Sequence, residues 1–256
     1  MKIATWNVNS IKIRTDDVIR WLGETKTDVL CLQEIKCVNE NFPKEAFENI
    51  GYDSVFLGQK SYNGVAILSN KKIEDVHYNF PDDTEESPKR LISATVNNVR
   101  IINTYVPNGT ELGTDRFDFK LNWMQRLRTY FDETCDTEKN VLWCGDFNVA
   151  ADERDIYDPI KKAKDLGFTK TERIALDYIK RWGFVDCFRK FEEAGGHFSW
   201  WHYREGSFQK DLGWRIDYVW TSQVLADKCV ACWIDKNPRT WDRPSDHTPV
   251  VGEFDL

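Results

Sequence analysis

The chain is organised around nine residues, Val141-Leu142-Trp143-Cys144-Gly145-Asp146-Phe147-Asn148-Val149. The first four form a short apolar run, which predicts a fully buried strand. Gly145 ends the run and permits a tight turn or a close backbone approach. If the backbone stays extended, alternation places the side chains of Asp146 and Asn148 on one face and Phe147 on the other. This predicts an active-site edge, although an ordinary Asp/Asn turn after a strand explains the stretch alone equally well.

The composition indicates a well-packed globular protein. Of the 256 residues, 41% are hydrophobic and 14% aromatic, enough to bury a sizeable core in one large or two small domains. No apolar run reaches membrane-spanning length, and the first residues enter strand-like sequence without a signal peptide, so we expect a cytoplasmic protein without a membrane partner. The net charge of −7 argues against a generally basic nucleic-acid coat, but it leaves room for a local basic groove.

The seven cysteines are scattered along the chain. Cys31 and Cys144 lie within apolar strand-like runs, which is typical of buried reduced thiols in the cytosol. Cys229 and Cys232 form a lone C-x-x-C pair without a second pair, so the cysteines give only weak support for zinc or redox chemistry.

The order of apolar segments predicts an α/β protein. A strand at residues 3–9, a helix at 12–24 and a strand at 28–34 have the layout of a βαβ-like unit. Further helices are expected at 117–134 and 171–182, and further strands at 65–69, 91–96, 100–106, 184–188, 198–201, 214–220 and 245–251. Residues 79–89 and 152–167 read as polar connections, and neither a low-complexity linker nor a repeat is present. We therefore expect one domain spanning residues 1–256.

Polar side chains stand at the ends of these predicted strands, and together they form an oxygen-rich set: Asn7, Glu34, Tyr105, Asp146, Asn148, Asp217, Asp246 and His247. Such a set suits Mg²⁺ or Mn²⁺ better than zinc, which usually recruits more His or Cys. The single histidine suggests a polarising or proton-handling role. Each residue also has a structural explanation; for example, Asp217 could pair with Arg215 at the surface, and His247 could be a core histidine.

Several motifs occur in the order and spacing of one family: Trp6-Asn7-Val8-Asn9, Leu32-Gln33-Glu34-Ile35-Lys36, Tyr62-Asn63-Gly64-Val65-Ala66, Tyr105-Val106-Pro107-Asn108-Gly109, Gly145-Asp146-Phe147-Asn148, Gly167-Phe168-Thr169-x-x-Glu172-Arg173, Gly213-Trp214-Arg215-Ile216-Asp217-Tyr218 and Ser245-Asp246-His247. Over its whole length the chain resembles exonuclease III and the related class II apurinic/apyrimidinic (AP) endonucleases of the endonuclease/exonuclease/phosphatase superfamily. The resemblance implies a four-layer α/β sandwich, in which two packed, mixed and largely antiparallel β-sheets are flanked by helices.

The resemblance also implies a role for each matching residue. Glu34 would be the principal metal ligand, with Asn7 and Asp246 in or near the metal's coordination shell. Asp146 would orient or deprotonate the attacking water, and the remaining residues would bind or polarise the phosphate: Asn148, Tyr105, His247 (oriented by Asp217) and Asn108. Some relatives carry an aspartate at the position of Asn9, so its amide here favours a one-metal site.

Acid-rich metal sites do not by themselves select DNA, because lipid phosphatases and sphingomyelinases of the same superfamily share the core. Basic residues beside strand ends favour DNA phosphates as partners: Lys36, Lys161, Lys162, Lys164, Arg239 and Arg243. Trp200 and Trp214 match positions that line the pocket for an abasic deoxyribose in the family, and Ile216 would complete that pocket. Singly, the basic residues could also be solvated surface charges, and the tryptophans could be core aromatics.

We therefore expect a Mg²⁺-dependent AP endonuclease and 3′→5′ exodeoxyribonuclease, with Mn²⁺ as a possible substitute. It would act as a monomer on double-stranded DNA with abasic sites or 3′ ends, incise 5′ to the abasic site, and remove 3′-blocking groups. The alternatives are a phosphatase or phosphodiesterase for lipid or inositol phosphates, and a catalytically weak protein that binds DNA ends.

Overall fold

A computed structural model describes residues 1–256. Its strands are β1 (Lys2–Asn7), β2 (Val29–Gln33), β3 (Asp53–Leu57), β4 (Val65–Ser69), β5 (Ile73–Tyr78), β6 (Leu91–Val96), β7 (Val99–Tyr105), β8 (Val141–Asp146), β9 (Val185–Asp186), β10 (Trp200–Trp201), β11 (Gly213–Trp214), β12 (Asp217–Thr221), β13 (Cys229–Ile234) and β14 (Val250–Phe254). Its helices are α1 (Ile11–Thr25), α2 (Lys44–Glu48), α3 (Asp115–Thr134), α4 (Lys170–Lys180) and α5 (Gln223–Ala226). None of these helices is long and apolar enough to cross a membrane.

The strands form two six-stranded sheets and one short hairpin. The first sheet has the order β13-β14-β1-β2-β4-β3, the second has the order β5-β6-β7-β8-β12-β9, and β10 pairs with β11. Only β1–β2 and β7–β8 run parallel, and every other pairing is antiparallel. The predicted βαβ unit is thus confirmed locally as β1-α1-β2, within sheets that are mixed and largely antiparallel.

Three apolar clusters separate the layers of the molecule. One lies between the two sheets, one packs α1 and α2 against the first sheet, and one packs α3 and α4 against the second sheet. The four layers of helix, sheet, sheet and helix confirm the predicted sandwich. Because both faces of each sheet are covered, the central strands β1, β2, β4 and β8 are buried along almost their whole length. This explains why they read as continuous apolar runs.

A buried polar contact also joins the two sheets next to their polar strand ends. Asn103 on β7 donates its side-chain amide to the carbonyl oxygens of Leu32 and Ala66, each at 2.9 Å. The amide of Gln33 donates to Asn103 Oδ1 at 2.7 Å. Buried amides need such partners, because an unpaired polar group in the core is costly. The network fixes β7 against β2 close to Tyr105 and Glu34.

Several strands are not predicted by the sequence pattern, and others are shorter than predicted. β3, β5 and β13 lack a continuous buried run, since they lie at sheet edges where only some side chains are covered, and the strand expected at 184–188 consists only of the two residues of β9. The expected strand 214–220 is interrupted at Arg215, whose backbone N–H donates to Asp155 O at 2.7 Å instead of to a neighbouring strand. Likewise, the last strand begins only at Val250, so Asp246 and His247 lie in the preceding loop.

Candidate active site

A cavity of about 770 Å³ opens where strands of both sheets end. Within the second sheet, Asp146 at the end of β8 pairs in register with Tyr105 on β7 and with Asp217 on β12. Most of the predicted site residues line the cavity: Glu34, Tyr105, Asn108, Asp146, Asn148, Trp200, Trp214, Ile216, Asp246 and His247. The other three contact this set from behind or beside it, namely Asn7, Lys36 and Asp217.

Glu34, Asp146 and His247 form a cluster with the dimensions of a metal site. One potential ligand atom from each of them lies within 4.8 Å of the others. Glu34 follows the end of β2 with a left-handed φ of 51°, which turns its carboxylate into the cavity. Two carboxylates with further oxygen donors nearby fit a hard divalent cation.

Asn7 holds the two carboxylates together. Its side-chain amide donates to Glu34 Oε1 at 2.8 Å and to Asp146 Oδ2 at 2.9 Å, while its oxygen accepts the backbone N–H of Asn9 at 3.0 Å. The N–H₂ group therefore faces the acids and offsets part of their mutual repulsion. An N–H donor in this position orients the two acids.

Lys36 and Asp246 extend the cluster towards Asn9. Lys36 Nζ lies 2.8 Å from Glu34 Oε2 and also donates to Asn9 Oδ1. The carboxylate of Asp246 accepts Asn9 Nδ2 and Trp200 Nε1, each at 3.0 Å. Burial alone would raise the pKa of Asp246. The interaction with His247 and these two hydrogen bonds lower that pKa instead, because they favour the ionised carboxylate.

His247 is oriented by Asp217. Nδ1 of His247 lies 2.9 Å from Asp217 Oδ2, and Ser199 donates its hydroxyl to the same oxygen at 2.6 Å. Nε2 of His247 faces Asp146 Oδ2 at 3.7 Å. Burial alone would lower the pKa of His247, but the carboxylates of Asp217 and Asp146 raise it to about 10.

Asp217 does not pair with Arg215, so that structural interpretation is wrong. Arg215 is 1% exposed and points away from the cavity, where it binds Asp155 and Asp186 at 2.8 and 2.7 Å. Asp217 is fully buried. Residues two apart in an unbroken strand would face the same side, but the strand is interrupted between Trp214 and Asp217, so Arg215 and Asp217 bind different partners.

Asp146 and Asn148 reach the cavity through a turn, and the extended backbone expected for this stretch is not present. Asn148 has a left-handed φ of 50°, and its backbone N–H donates to Asp146 Oδ1 at 2.9 Å. Its side-chain amide donates to Val106 O at 2.9 Å, and its Oδ1 accepts Asn108 Nδ2 at 3.1 Å. Burial raises the pKa of Asp146 to about 7.

Tyr105 lies across the cavity floor with its ring against Arg90, whose guanidinium carbon is 4.6 Å from the ring centroid. Burial, together with the carboxylates of Glu34 and Asp146, raises the pKa of Tyr105 well above its usual range. The phenol therefore stays protonated and can donate a hydrogen bond at neutral pH. Arg90 carries no signal in the sequence, since its contact with Tyr105 depends on the β6–β7 pairing.

The apolar side of the cavity is built by Trp200, Trp214 and Ile216. The two indole rings meet edge to face with their centroids 6.2 Å apart, and Trp200 also lies 6.4 Å from the ring of His247. Trp214 and Ile216 also belong to a small buried cluster with Phe168, so they line the cavity and pack at the same time. Gly167 lies against Trp214, since a Cβ added at Gly167 would be only 3.2 Å from a ring carbon of Trp214.

The basic loop residues are distributed unevenly around this cavity. Lys162 lines it, while Lys161 is exposed and forms an ion pair with Asp158. Arg239 is only 7% exposed and packs against aromatic rings, 4.9 Å from the ring of Phe208. Arg239 is thus a packing residue here, because the aromatic surroundings that cover it were not visible in the loop sequence.

The sequence profile of the Endonuclease/Exonuclease/phosphatase family matches residues 4–247. The chain is 32% identical to exodeoxyribonuclease III of Haemophilus influenzae over 266 residues, which cover 99% of this chain and 100% of that protein. Its fold is similar to that of an AP endonuclease from Archaeoglobus fulgidus, with a TM-score of 0.97, 41% identity and full coverage of both chains. A 3′ phosphatase from Neisseria bound to a product DNA hairpin is similar as well, with a TM-score of 0.96, 37% identity and full coverage.

Proposed function

The chain belongs to the Endonuclease/Exonuclease/phosphatase family, and from this we propose that it is a metal-dependent DNA-repair nuclease. The proposed reactions are incision of duplex DNA 5′ to abasic sites, removal of 3′-blocking groups and 3′→5′ degradation. The names of its relatives support each of these activities.

One observation carries the proposal. A single cavity holds the acidic cluster of Glu34 and Asp146 on one side and the apolar pair of Trp200 and Trp214 on the other. The acidic side suits a phosphodiester with a divalent cation, and the apolar side suits a sugar that has lost its base. A duplex with an abasic site presents both groups next to each other.

We propose Mg²⁺ as the cation, with Mn²⁺ as a substitute. Glu34 would be the principal ligand, and Asn7 and Asp246 would lie in or near the coordination shell. When bound, the cation would supply Lewis acidity to the phosphoryl oxygens. The oxygen-rich donor set supports this choice, since Mg²⁺ prefers carboxylates and water.

We propose the remaining roles as the family resemblance implies them, and the contacts support them. Asp146 faces the cavity with a pKa of about 7, which suits a general base near neutral pH. Asn148 and Tyr105 would donate to the scissile phosphate. His247, held by Asp217, would stabilise the developing negative charge. Asn108 and Lys36 would contact phosphates beside the scissile one.

The test is a panel of end-labelled substrates with Mg²⁺ and with EDTA. The panel contains duplexes with an abasic analogue, a 3′-phosphate or a plain recessed 3′ end, together with inositol phosphates and phosphoinositide vesicles. We expect Mg²⁺-dependent cleavage of the DNA substrates alone. Hydrolysis confined to the inositol or lipid phosphates would contradict the proposal, and so would DNA binding without cleavage. Gel filtration with light scattering on the same sample is expected to show a monomer.

A further inference from the structure

Lys120 is a lysine buried completely beneath the active site. It lies on α3 at 0% exposure, where a charged side chain is unusual. Its Nζ donates to Glu172, to Asn148 O at 2.9 Å and to Asn108 O at 3.2 Å. All three hydrogens of the ammonium group thus have acceptors, and two of these acceptors are the backbone carbonyls of cavity-lining residues.

Glu172 connects Lys120 to a further cavity-lining residue, Gly167. It is also fully buried, and both of its carboxylate oxygens accept the backbone N–H of Gly167 at 2.9 Å. In addition it accepts the backbone N–H and the hydroxyl of Thr169, which closes a capping box at the start of α4. The carboxylate therefore holds the segment whose Gly167 lies against Trp214.

The ion pair thus links two parts of the site that are separate in the sequence. On one side are Asn108 and Asn148, whose side chains are hydrogen-bonded to each other at 3.1 Å. On the other side is Gly167, which leads into the wall formed by Trp214. The packing between them is close, since a Cβ at Gly109 would lie 3.1 Å from Lys120 Cδ.

We propose that Lys120 and Glu172 are positioning residues. They fix the distance between the phosphate-contacting amides of Asn108 and Asn148 and the wall of the sugar pocket, which Trp214 forms beside Gly167. This inference rests on the proposed function, because it assumes that a phosphate and a sugar of one strand occupy the two sides. Neither residue touches the substrate, and both act through backbone groups.

The arrangement serves position better than it serves stability. A buried ion pair gives little net stabilisation compared with well-packed apolar residues, because both charges must be removed from water. Its hydrogen bonds are directional, however, and they end on the backbone at Asn108, Asn148 and Gly167. The last two segments are also joined by the bond from Ala150 N–H to Gly167 O at 2.8 Å, whereas the Asn108 loop meets Gly167 through the ion pair. The side chain of Asn148 is also held by its bond to Val106 O. Its contact with the scissile phosphate is therefore expected to persist when Lys120 is replaced.

These contacts predict that the pair matters for DNA and much less for a small phosphodiester. An abasic duplex must reach the amides and the pocket wall at the same time, whereas bis(4-nitrophenyl) phosphate needs only the metal cluster and the scissile-phosphate contacts. The decisive quantity is the ratio of kcat/KM on an abasic duplex to kcat/KM on this aryl phosphodiester, at fixed Mn²⁺ and salt. A uniform loss of folded protein leaves the ratio unchanged.

The test compares Lys120→Met with Leu127→Ala, which removes a fully buried side chain from the same helix without touching the loops. We expect the ratio to fall about 10- to 100-fold in Lys120→Met and to stay at the wild-type value in Leu127→Ala. Because Lys120→Met leaves a buried carboxylate, the double variant Lys120→Met/Glu172→Gln is measured as well. It removes both charges, and the same fall is expected.

An unchanged ratio in the folded variants would overturn the positioning role, as would an equal fall in Leu127→Ala. A wild type that does not cleave abasic DNA would instead contradict the proposed function. In that case the same ratio, taken with whichever large substrate the panel identifies, still decides whether Lys120 couples the two sides.

Discussion

Nδ1 of His247 and Oδ2 of Asp217 lie 2.9 Å apart in a fully enclosed part of the site, and Ser199 donates to the same carboxylate oxygen. The imidazole is thereby fixed in orientation, with its Nε2 towards Asp146. A carboxylate on the far side of an imidazole also favours its charged form. The two side chains are 30 residues apart in the sequence, and they form one functional unit.

We predict that this unit fails as a whole. Asp217→Asn and His247→Asn should each lower kcat on an abasic duplex by about 100-fold or more, because each removes the oriented positive group. The double variant should lose little more kcat than the less active of the two single variants. Single-turnover rates measure this, with Asp132→Asn on the surface of α3 as the control. Fully additive losses would show that the two residues act independently.

Metal removal should abolish cleavage. We expect no product in EDTA and full recovery with Mg²⁺ or Mn²⁺. Glu34→Gln should raise the Mg²⁺ concentration needed for half-maximal rate by about 10-fold or more, while the Tm stays unchanged, since Glu34 follows β2 in a turn. Glu48→Gln, an exposed acid on α2, is the matched control. Undiminished activity in the chelator would exclude the proposed mechanism.

The aromatic wall should decide which sugar enters. An abasic deoxyribose has no base to unstack, so rotating it out of the duplex costs less than the few kcal/mol of flipping a normal nucleotide. We therefore expect Trp214→Ala to reduce incision at abasic sites, and Trp200→Ala to let intact nucleotides compete better. The measurement is the ratio of abasic-site incision to cleavage at an undamaged position. If that ratio is unchanged in both folded variants, these residues are packing residues only.

Gly167 offers a sharper test of the same wall. Gly167 and Gly196 have similar positive φ angles of 87° and 83°, but only Gly167 has neighbours within reach of a Cβ. Alanine at either position should cost about 1–2 kcal/mol of folding free energy from backbone strain. Only Gly167→Ala should also lower abasic-site incision, because its methyl group would lie 3.2 Å from both a ring carbon of Trp214 and the backbone oxygen of Asn148. Equal activity losses in the two variants would trace the effect to strain alone.

The buried Arg215 should matter for stability. Arg215→Met leaves Asp155 and Asp186 buried without their common partner, and we expect a loss of about 3–5 kcal/mol in the free energy of unfolding. Arg181→Met breaks a surface pair with Asp177 and should change stability by less than about 1 kcal/mol. Urea denaturation of the two variants checks this, and similar values for both would contradict a structural role for the Arg215 network.

The sequence determined the α/β class through its apolar segments, the layered sandwich through its resemblance to one family, and much of the composition of the site. Runs such as 141–144 are buried on both faces, so their burial is visible in their composition alone. The polar residues that follow such runs, for example Glu34 and Asp146, could be singled out because a carboxylate at the end of a buried strand contrasts with its neighbours. The motifs added Trp200 and Trp214, which composition alone leaves indistinguishable from core residues.

Only the tertiary structure decided which atoms face one another. Asn148 reaches the cavity through a left-handed turn stabilised by Asp146, and Asp217 binds His247 while its near neighbour Arg215, in the interruption before β12, binds Asp155. Lys120 reads locally as a solvated helix residue, and its burial depends on Glu172, 52 positions further along the chain. Local patterns record the period of an element and the polarity of its faces. The partner of a side chain is set by contacts between distant segments, because only the packed sheets and helices bring those segments together.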